Sequence, residues 1–538
     1  MSNLIIGKKN EVYLTIKAEA HIHYELSDYF TLDVPNAKFM PQYKSGRWDG
    51  KIRLYSPGTG EIYCGLISHI KDWCKVKNYS IEFVENKFYG YPKEENDFFT
   101  LEGVKGFMES ICSKYKPREY QINAVYEGLY HNRRLLLSPT GSGKSLMIYA
   151  LVRYYVERQQ NILIIVPTTS LVEQMYKDFA DYGWDVETHC HKIYGGKEKQ
   201  PVWIYVTTED GNKYKFEGNE YINLINNKGK LAKNLSKTDE IDDGIKIKKI
   251  ERKEPSVFCS TWQSIYRLPI KYFERFDVVI GDEAHLFKSK SLIGIMTKLH
   301  QTKYRFGFTG TLDGSATHKW VLEGLFGECK HVIKTEKLIK EGHLSEFRIK
   351  VLLLKHEKQI FEDYQSEIDY IVDCEKRNRL IKNLVKDLEG NTLVLFNYVE
   401  RHGMPLYENI NSVIGKERKV FLVYSGVDTE ERENIRRITE TEKNAVIIAS
   451  YGTFSTGINI KNLHNVVFAS PSKSRVRNLQ SIGRVLRKGD NKTYATLYDI
   501  ADDICRTPLK NYTLKHLEER LKIYEEEKFI VEIINIKI

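Results

Sequence analysis

Three groups of residues in this 538-residue chain have the types and spacing for phosphate chemistry. The first is Ser138-Pro139-Thr140-Gly141-Ser142-Gly143-Lys144-Ser145, which follows the apolar run Leu135-Leu136-Leu137 and precedes Leu146-Met147-Ile148-Tyr149-Ala150. In a strand-turn-helix of this kind the glycines let backbone N–H groups crowd around phosphate oxygens. The helix N-terminus adds a positive dipole end, Lys144 neutralises charge, and Ser145 is placed to hold Mg²⁺. The usual first glycine is replaced by Ser138, so the strict pattern is not met, and an ordinary Gly/Ser turn is the bland alternative. The second group is Asp282-Glu283-Ala284-His285, after the short apolar run Phe276-Asp277-Val278-Val279-Ile280. A buried strand there would carry both carboxylates at its carboxyl end, where ligands bind in open α/β sheets. Asp282 then suits Mg²⁺, and Glu283 suits orienting and deprotonating a water, in a reaction dominated by positioning and charge neutralisation. The third group is Gln480-Ser481-Ile482-Gly483-Arg484-Val485-Leu486-Arg487, which spaces two arginines three apart on one helical face, with Gln480 a turn before the first. Arg484 and Arg487 can stabilise charge on a transferring phosphate, although a basic surface helix has the same spelling.

These groups need strands that end at a ligand and helices that begin there, so the expected class is α/β with parallel sheets. The composition agrees, with 41% hydrophobic and 29% charged residues, as in a soluble globular protein of several domains. With 82 Lys plus Arg against 72 Asp plus Glu, the net charge of +10 favours a polyanion only mildly. The longest apolar runs, such as Ile162 to Val166, are far too short to cross a membrane. Met1-Ser2-Asn3-Leu4 has no signal-peptide pattern, and a cytoplasmic location is expected. The eight cysteines include no Cys-x-x-Cys pair, which argues against a zinc ribbon or a disulfide framework. The pairs His21/His23 and His189/His191 lack companions at ligand spacing and read as structural.

Taken in order, the chain resembles the superfamily 2 helicases. Arg118-Glu119-Tyr120-Gln121 resembles the adenine-reading element, residues 138–145 motif I, Val166-Pro167-Thr168-Thr169-Ser170-Leu171 motif Ia, and Asp282 to His285 motif II. Ser260-Thr261-Trp262-Gln263-Ser264 resembles a further DNA-contacting motif, and Thr309-Gly310-Thr311 motif III. In the second half, Thr392 to Phe396, Tyr424-Ser425-Gly426, Ser450 to Gly457 and Gln480 to Arg487 resemble motifs IV, IVa, V and VI. The resemblance implies two tandem RecA-like P-loop domains using ATP and Mg²⁺, with nucleic acid lying across them. Nucleotide contacts are then expected at Arg118, Gln121, Pro139, Thr140, Gly141, Ser142, Gly143, Lys144, Ser145 and Gly457, with Ser145 and Asp282 as metal ligands. Thr168, Thr169, Thr261, Trp262, Ser425 and Thr453 would hold the nucleic-acid backbone, which hydroxyls and amides grip without reading sequence. One departure is Asn459, where motif V often has an acidic residue.

Phe39-Met40-Pro41-Gln42-Tyr43-Lys44-Ser45-Gly46-Arg47-Trp48-Asp49-Gly50-Lys51-Ile52-Arg53-Leu54-Tyr55 is similar to the small leading domain of the phage UvsW family of branched-DNA helicases. The residues themselves predict a hairpin. Ile52 and Leu54 alternate with Lys51, Arg53 and Tyr55, and the turn Ser56-Pro57-Gly58-Thr59-Gly60 leads to Ile62, Cys64 and Leu66. Arg47, Trp48, Lys51, Arg53 and Tyr55 would then face outward to grip phosphate and stack on a base, unless Trp48 lies in the core.

The expected organisation is a small α/β nucleic-acid-binding domain over residues 1–90, a linker over 91–112, a first RecA-like domain over 113–340 and a second over 341–510. A C-terminal helix and tail over 511–538 follow, the helix marked by Leu514, Leu517, Leu521 and Tyr524. Residues 197–257 interrupt the first motor domain as a β-rich insertion. In it, Val202 to Val206 and Lys213 to Phe216 read as a hairpin about Asp210-Gly211, and it is expected to be inert or DNA-contacting. The activity this implies is an ATP-dependent helicase or translocase, expected as a monomer, acting on branched DNA or duplex with single-stranded regions, alongside single-strand-binding and recombination proteins. An RNA helicase, the motor subunit of a nuclease complex and a DNA-annealing factor remain as alternatives.

Overall fold

The computed structural model describes residues 3–84, 100–112, 114–195, 203–208, 213–217, 247–253, 255–453, 460, 462–488, 492, 494–504 and 510–538. The first seven strands are β1 (Leu4–Lys8), β2 (Tyr13–Ala18), β3 (Thr31–Asp33), β4 (Lys51–Arg53), β5 (Tyr55–Ser56), β6 (Glu61–Tyr63) and β7 (Ile81–Phe83). They form a five-stranded sheet in the order β5-β6-β2-β1-β7 and a separate β3-β4 pair. Alternation in β1 and β2 buries Leu4, Ile6, Leu14 and Ile16, and the helices Ala20–Tyr29 and Ile67–Lys77 bury Ile22, Leu26, Ile70 and Trp73.

The expected hairpin is only partly formed. β4 pairs antiparallel with β3 and only β5 pairs with β6, while Cys64–Leu66 is a turn of 3-10 helix and not strand. The cause is local: Leu54 and Tyr55 are consecutive yet both buried, at 7% and 2% exposure, so the in-out alternation of a strand with one solvated face breaks between β4 and β5. Tyr55 therefore faces the core and not solvent. Trp48 is half-buried, and its indole N–H donates to the Lys51 carbonyl at 2.8 Å. In the stretch expected as linker, Tyr91 to Asp97 lies outside the described residues and Leu101–Ile111 is a helix, capped by Thr100 and burying Val104 and Met108.

The next sheet is built from β8 (Arg133–Leu137), β9 (Ile162–Val166), β10 (Cys190–Ile193), β14 (Val257–Thr261), β15 (Val278–Asp282), β16 (Tyr304–Thr309) and β17 (Cys329–His331). Its order is β10-β14-β9-β15-β16-β8-β17, and the pairs β10–β14, β14–β9, β9–β15 and β15–β16 are all parallel. Every residue of β9, β14 and β15 is buried, and β9 accordingly reads as an unbroken apolar run, with Val278 to Ile280 doing so in β15. In the insertion, β11 (Trp203–Thr208), β12 (Lys213–Glu217) and β13 (Ile247–Lys253) make a three-stranded antiparallel sheet with β11 central. The paired β11 and β12 are those of the expected hairpin, its Asp210-Gly211 turn lies outside the described residues, and β13 falls where the sequence showed only basic charge.

The last sheet contains β18 (Glu346–Lys355), β19 (Thr392–Phe396), β20 (Val420–Val423), β21 (Val446–Ser450), β22 (Asn465–Phe468), β23 (Tyr494–Asp503) and β24 (Ile530–Lys537), in the order β20-β21-β19-β22-β23-β18-β24. Its pairs are parallel too. The chain end is thus an edge strand and not a tail, because β24 pairs with β18 over the register Arg348↔Ile530 to Lys355↔Lys537. The preceding helix, Tyr512–Glu526, buries Thr513, Leu517, Arg520, Ile523 and Tyr524, whereas Leu514 and Leu521 are half-buried.

The chain divides into two compact units. One comprises Met1–Leu135, Ser145–Phe308 and Trp320–Cys329, the other Leu136–Lys144, Thr309–Lys319 and Lys330–Ile538. Within the first unit the N-terminal fold is fastened by a buried seam. Glu11 pairs with Arg133, His69 Nε2 lies 2.8 Å from the Glu323 carboxylate, and Trp320 packs on Tyr29, Phe30 and His69. A Cβ at Gly65 would stand 1.9 Å from the Glu323 carbonyl oxygen, so that close approach requires glycine.

Candidate nucleotide and nucleic-acid site

The loop after β8 has the backbone its sequence demands. Gly141 and Gly143 have φ of 85° and 80°, in the left-handed region that only glycine enters without strain. Ser138 is fully buried, and its hydroxyl lies 2.6 Å from that of Ser142, which in turn donates to the Pro139 carbonyl at 2.6 Å. The serine in place of the usual glycine therefore braces the loop from within. Lys144 opens the helix Lys144–Val156, which includes Ser145, and its ammonium donates back to the Ser138 carbonyl at 3.3 Å. Thr309-Gly310-Thr311 lies over this loop: a Cβ at Gly310 would come 3.7 Å from Lys144 Nζ and from the Thr140 nitrogen.

Asp282 is the last residue of β15, 8% exposed, and one of its oxygens accepts the Glu283 N–H at 2.9 Å. Glu283 then takes a left-handed backbone, φ 51°, an uncommon conformation for a non-glycine residue. The carboxylate pair sits at the strand's carboxyl end, with buried His285 Nδ1 3.4 Å from Glu283 Oε2. Arg118 and Gln121 lie at the start of the helix Glu119–His131, where the buried Gln121 side-chain carbonyl accepts the Arg118 backbone N–H at 2.9 Å. Gln121 acts there as a helix cap.

Gln480 and Arg484 lie on the helix Arg475–Val485, with Arg484 in its last turn. Arg487 falls beyond the helix end, so the single helical face expected for both arginines is not what forms. Gly483 of this helix rests against the phosphate loop, where a Cβ would be 2.6 Å from that of Thr140. Just past it, buried Lys492 donates to the carbonyls of Val485 and Arg487 and caps orphan acceptors at the helix end. Gly457 and Asn459 of motif V lie outside the described residues.

The residues expected to hold nucleic acid gather at strand ends. Thr168 caps the helix Thr169–Asp181, accepting the Leu171 N–H at 3.3 Å, and Thr261 ends β14 with its hydroxyl 3.0 Å from that of Ser264. Trp262 is half-buried against Tyr266, and Gln263 donates to the Pro167 carbonyl at 3.4 Å, which joins the two loops. At the carboxyl ends of β19, β20 and β21 a cavity of about 500 Å³ is lined by Asn397, Ser425, Arg432, Ser450, Thr453 and Arg477. Ser425 and Thr453 were named from the sequence as backbone contacts. Arg432 and Arg477 of the cavity lining were not named, because an arginine on a helix reads in sequence as solvated surface.

Residues 8–84 match the family described as DNA helicase UvsW, N-terminal. Residues 114–314 match the type III restriction enzyme res subunit, and 375–489 the helicase conserved C-terminal domain. The chain is 32% identical to the ATP-dependent DNA helicase UvsW of Enterobacteria phage T4, over 96% of both chains. It belongs to the UvsW family of ATP-dependent DNA helicases. The crystal structure of T4 UvsW aligns over 99% of both chains at 30% identity, with a TM-score of 0.46. The type ISP restriction-modification enzyme LlaBIII, solved bound to DNA, shares the fold at 16% identity and a TM-score of 0.52, over 79% of this chain and 32% of that one.

In this UvsW-family helicase the leading domain exposes Arg47, Lys51 and Arg53, with Arg53 paired to Asp49. Lys492 is the site neighbour that motif reading missed, while His285 and Ser142 stand inside motifs read from the sequence, although their contacts with Glu283 and Ser138 were not read there. No helix among the described residues is long and apolar enough to cross a membrane.

Proposed function

We propose that this helicase unwinds or migrates branched DNA, at forks, Holliday junctions and R-loops, in phage-type replication, recombination and repair. The observation that carries this reading is the UvsW-type leading domain with its exposed basic strip Arg47, Lys51 and Arg53, joined to a complete set of motor motifs. ATP lies with its phosphates on residues 138–145, read by backbone N–H groups and by Lys144. Arg118 and Gln121 take the base, and Gly457 is assigned to the same nucleotide.

The Ser145 hydroxyl and the Asp282 carboxylate are hard oxygen donors and fit Mg²⁺; bound there, the ion would neutralise charge on the phosphates. Glu283, held by its left-handed backbone and by His285, orients the attacking water and accepts its proton. Arg484 and Arg487 offset charge gathering on the transferred phosphate, with Gln480 beside them. Their engagement on ATP binding couples hydrolysis to movement along the strand. Thr168, Thr169, Thr261, Trp262, Ser425 and Thr453 hold the sugar-phosphate backbone, and a monomer suffices for the cycle.

The test is a side-by-side assay of ATP hydrolysis and strand separation on a fork, a Holliday junction, a linear duplex and an RNA duplex. The fork and the junction are expected to be processed at least about ten-fold faster than the linear duplex, with the RNA duplex untouched. Equal rates on all DNA forms would refute the branch preference, and a preference for RNA would overturn the substrate assignment.

A further inference from the structure

Between Ala37 and Tyr43 the leading domain turns large apolar side chains toward water. Phe39 is 64% exposed, Met40 41% and Tyr43 42%. Single exposed apolar residues need no explanation, but three within five positions form a patch of the kind that binds something. The patch is also built, in that Tyr43 and Lys44 donate their backbone N–H groups to the Met40 carbonyl and Ser45 donates to that of Pro41. Gly50, at φ +79°, comes so close to the Tyr43 ring that a Cβ would lie 3.1 Å from it and 2.9 Å from that of Ala37. The Cδ2–Cε2 edge of the Tyr43 ring thereby rests against Gly50.

The electrostatics select the occupant. From Val34 to Trp48 the chain has no carboxylate, while Lys38, Lys44 and Arg47 are exposed and the Lys38 ammonium stands 5.2 Å from the centre of the Phe39 ring. Asp49, the first acid, is paired with Arg53. An apolar tip on a segment carrying exposed cations and no carboxylate matches a base pair flanked by phosphates, since stacking rewards the rings whatever the sequence and the cations meet the backbone. The structure assigns Phe39, Met40 and Tyr43 as a platform that stacks on the terminal base pair at a DNA branch point, holding the strands apart there as apolar wedges do between base steps. This rests on the branched-DNA reading above and names the surface that meets the branch.

The experiment places 2-aminopurine either at the first base pair of a fork or about ten pairs inside its duplex, and adds the full chain without nucleotide. The wild type changes the fluorescence at the junction and not at the internal position. The double substitution Phe39→Ala with Tyr43→Ala reduces that change at saturating protein by about five-fold or more, and lowers the base pairs opened per ATP hydrolysed about ten-fold. Phe39→Tyr with Tyr43→Phe retains both. Thermal melting of all forms verifies that these exposed substitutions leave the fold intact. If the wild type prefers forks in the assay above and the alanine variant keeps the junction signal, the platform is wrong and the branched-DNA reading stands. If the wild type has no fork preference, that reading fails; a wild-type signal equal at both positions refutes the platform in either case.

Discussion

Ser138 stands where loops of this kind usually start with glycine, and its hydroxyl meets that of Ser142 across the turn. A neutral buried hydrogen bond of this sort contributes about 1 kcal/mol, so Ser138→Ala is expected to raise the KM for ATP by roughly five-fold with a smaller effect on kcat, read from steady-state phosphate release. An unchanged KM would show that the bridge does not hold the loop. At this scale the motif residues were legible, because glycine, lysine and paired carboxylates are placed by covalent spacing from a strand end. His285 on Glu283 and Lys492 on the carbonyls of Val485 and Arg487 were not, since nothing in local spacing marks a partner brought by packing. Tyr55 shows the same limit: alternation turned it outward, whereas it is buried beside Leu54.

The helix Arg475–Val485, which presents Gln480 and Arg484, is supported by its C-terminal neighbour Tyr512–Glu526. Arg520 of that neighbour is 1% exposed and binds Asp499 through two contacts of 2.8 Å, while its third nitrogen donates to the Ser472 carbonyl at 3.0 Å, just ahead of the Arg475–Val485 helix. Arg475 pairs with Glu526 at the far end. Removing one member of a buried pair strands the other charge, so Arg520→Leu should destabilise the protein by about 3–5 kcal/mol, and adding Asp499→Asn should recover part of it. Urea unfolding measures both, and a loss below about 1 kcal/mol would remove Arg520 from this supporting role. The helix itself was legible from Leu514, Leu517, Leu521 and Tyr524, but its most buried cation was not, because periodicity counts arginine as solvent-facing. The strand β24 was missed for a related reason. Its Ile530 and Ile533 are 69% and 51% exposed, and a half-exposed edge strand gives little contrast between faces.

Across the whole molecule, the two parallel sheets were the most legible feature, since buried strand segments such as Ile162–Val166 and Val446–Ala449 are unbroken apolar runs. The seam around Trp320 and Glu323 was invisible in sequence because its halves lie about 250 positions apart, as in the contact of His69 with Glu323. The buried polar interior of the second unit also sets an acid limit. His402 is 1% exposed, with Nδ1 3.1 Å from the Ser470 hydroxyl, and burial together with nearby Arg377 holds its imidazole down to about 3. An unfolded chain takes up this proton near pH 6.5 and the folded one refuses it until about 3, so stability is lost as the pH falls through that window. The slope is about 1.4 kcal/mol per pH unit for one such group. Urea unfolding at pH 7 and pH 5 should therefore show a steeper loss for the wild type than for His402→Gln, and equal losses would contradict the assignment. The central claim, that a motor fed by the loop at residues 138–145 drives this helicase on branched DNA, is tested most directly by phosphate release and strand separation on a fork with Lys144→Ala. The account predicts that the folded variant binds the fork but loses both fork-stimulated hydrolysis and unwinding, by about a hundred-fold or more; a folded variant that still hydrolyses ATP at near the wild-type rate would contradict it.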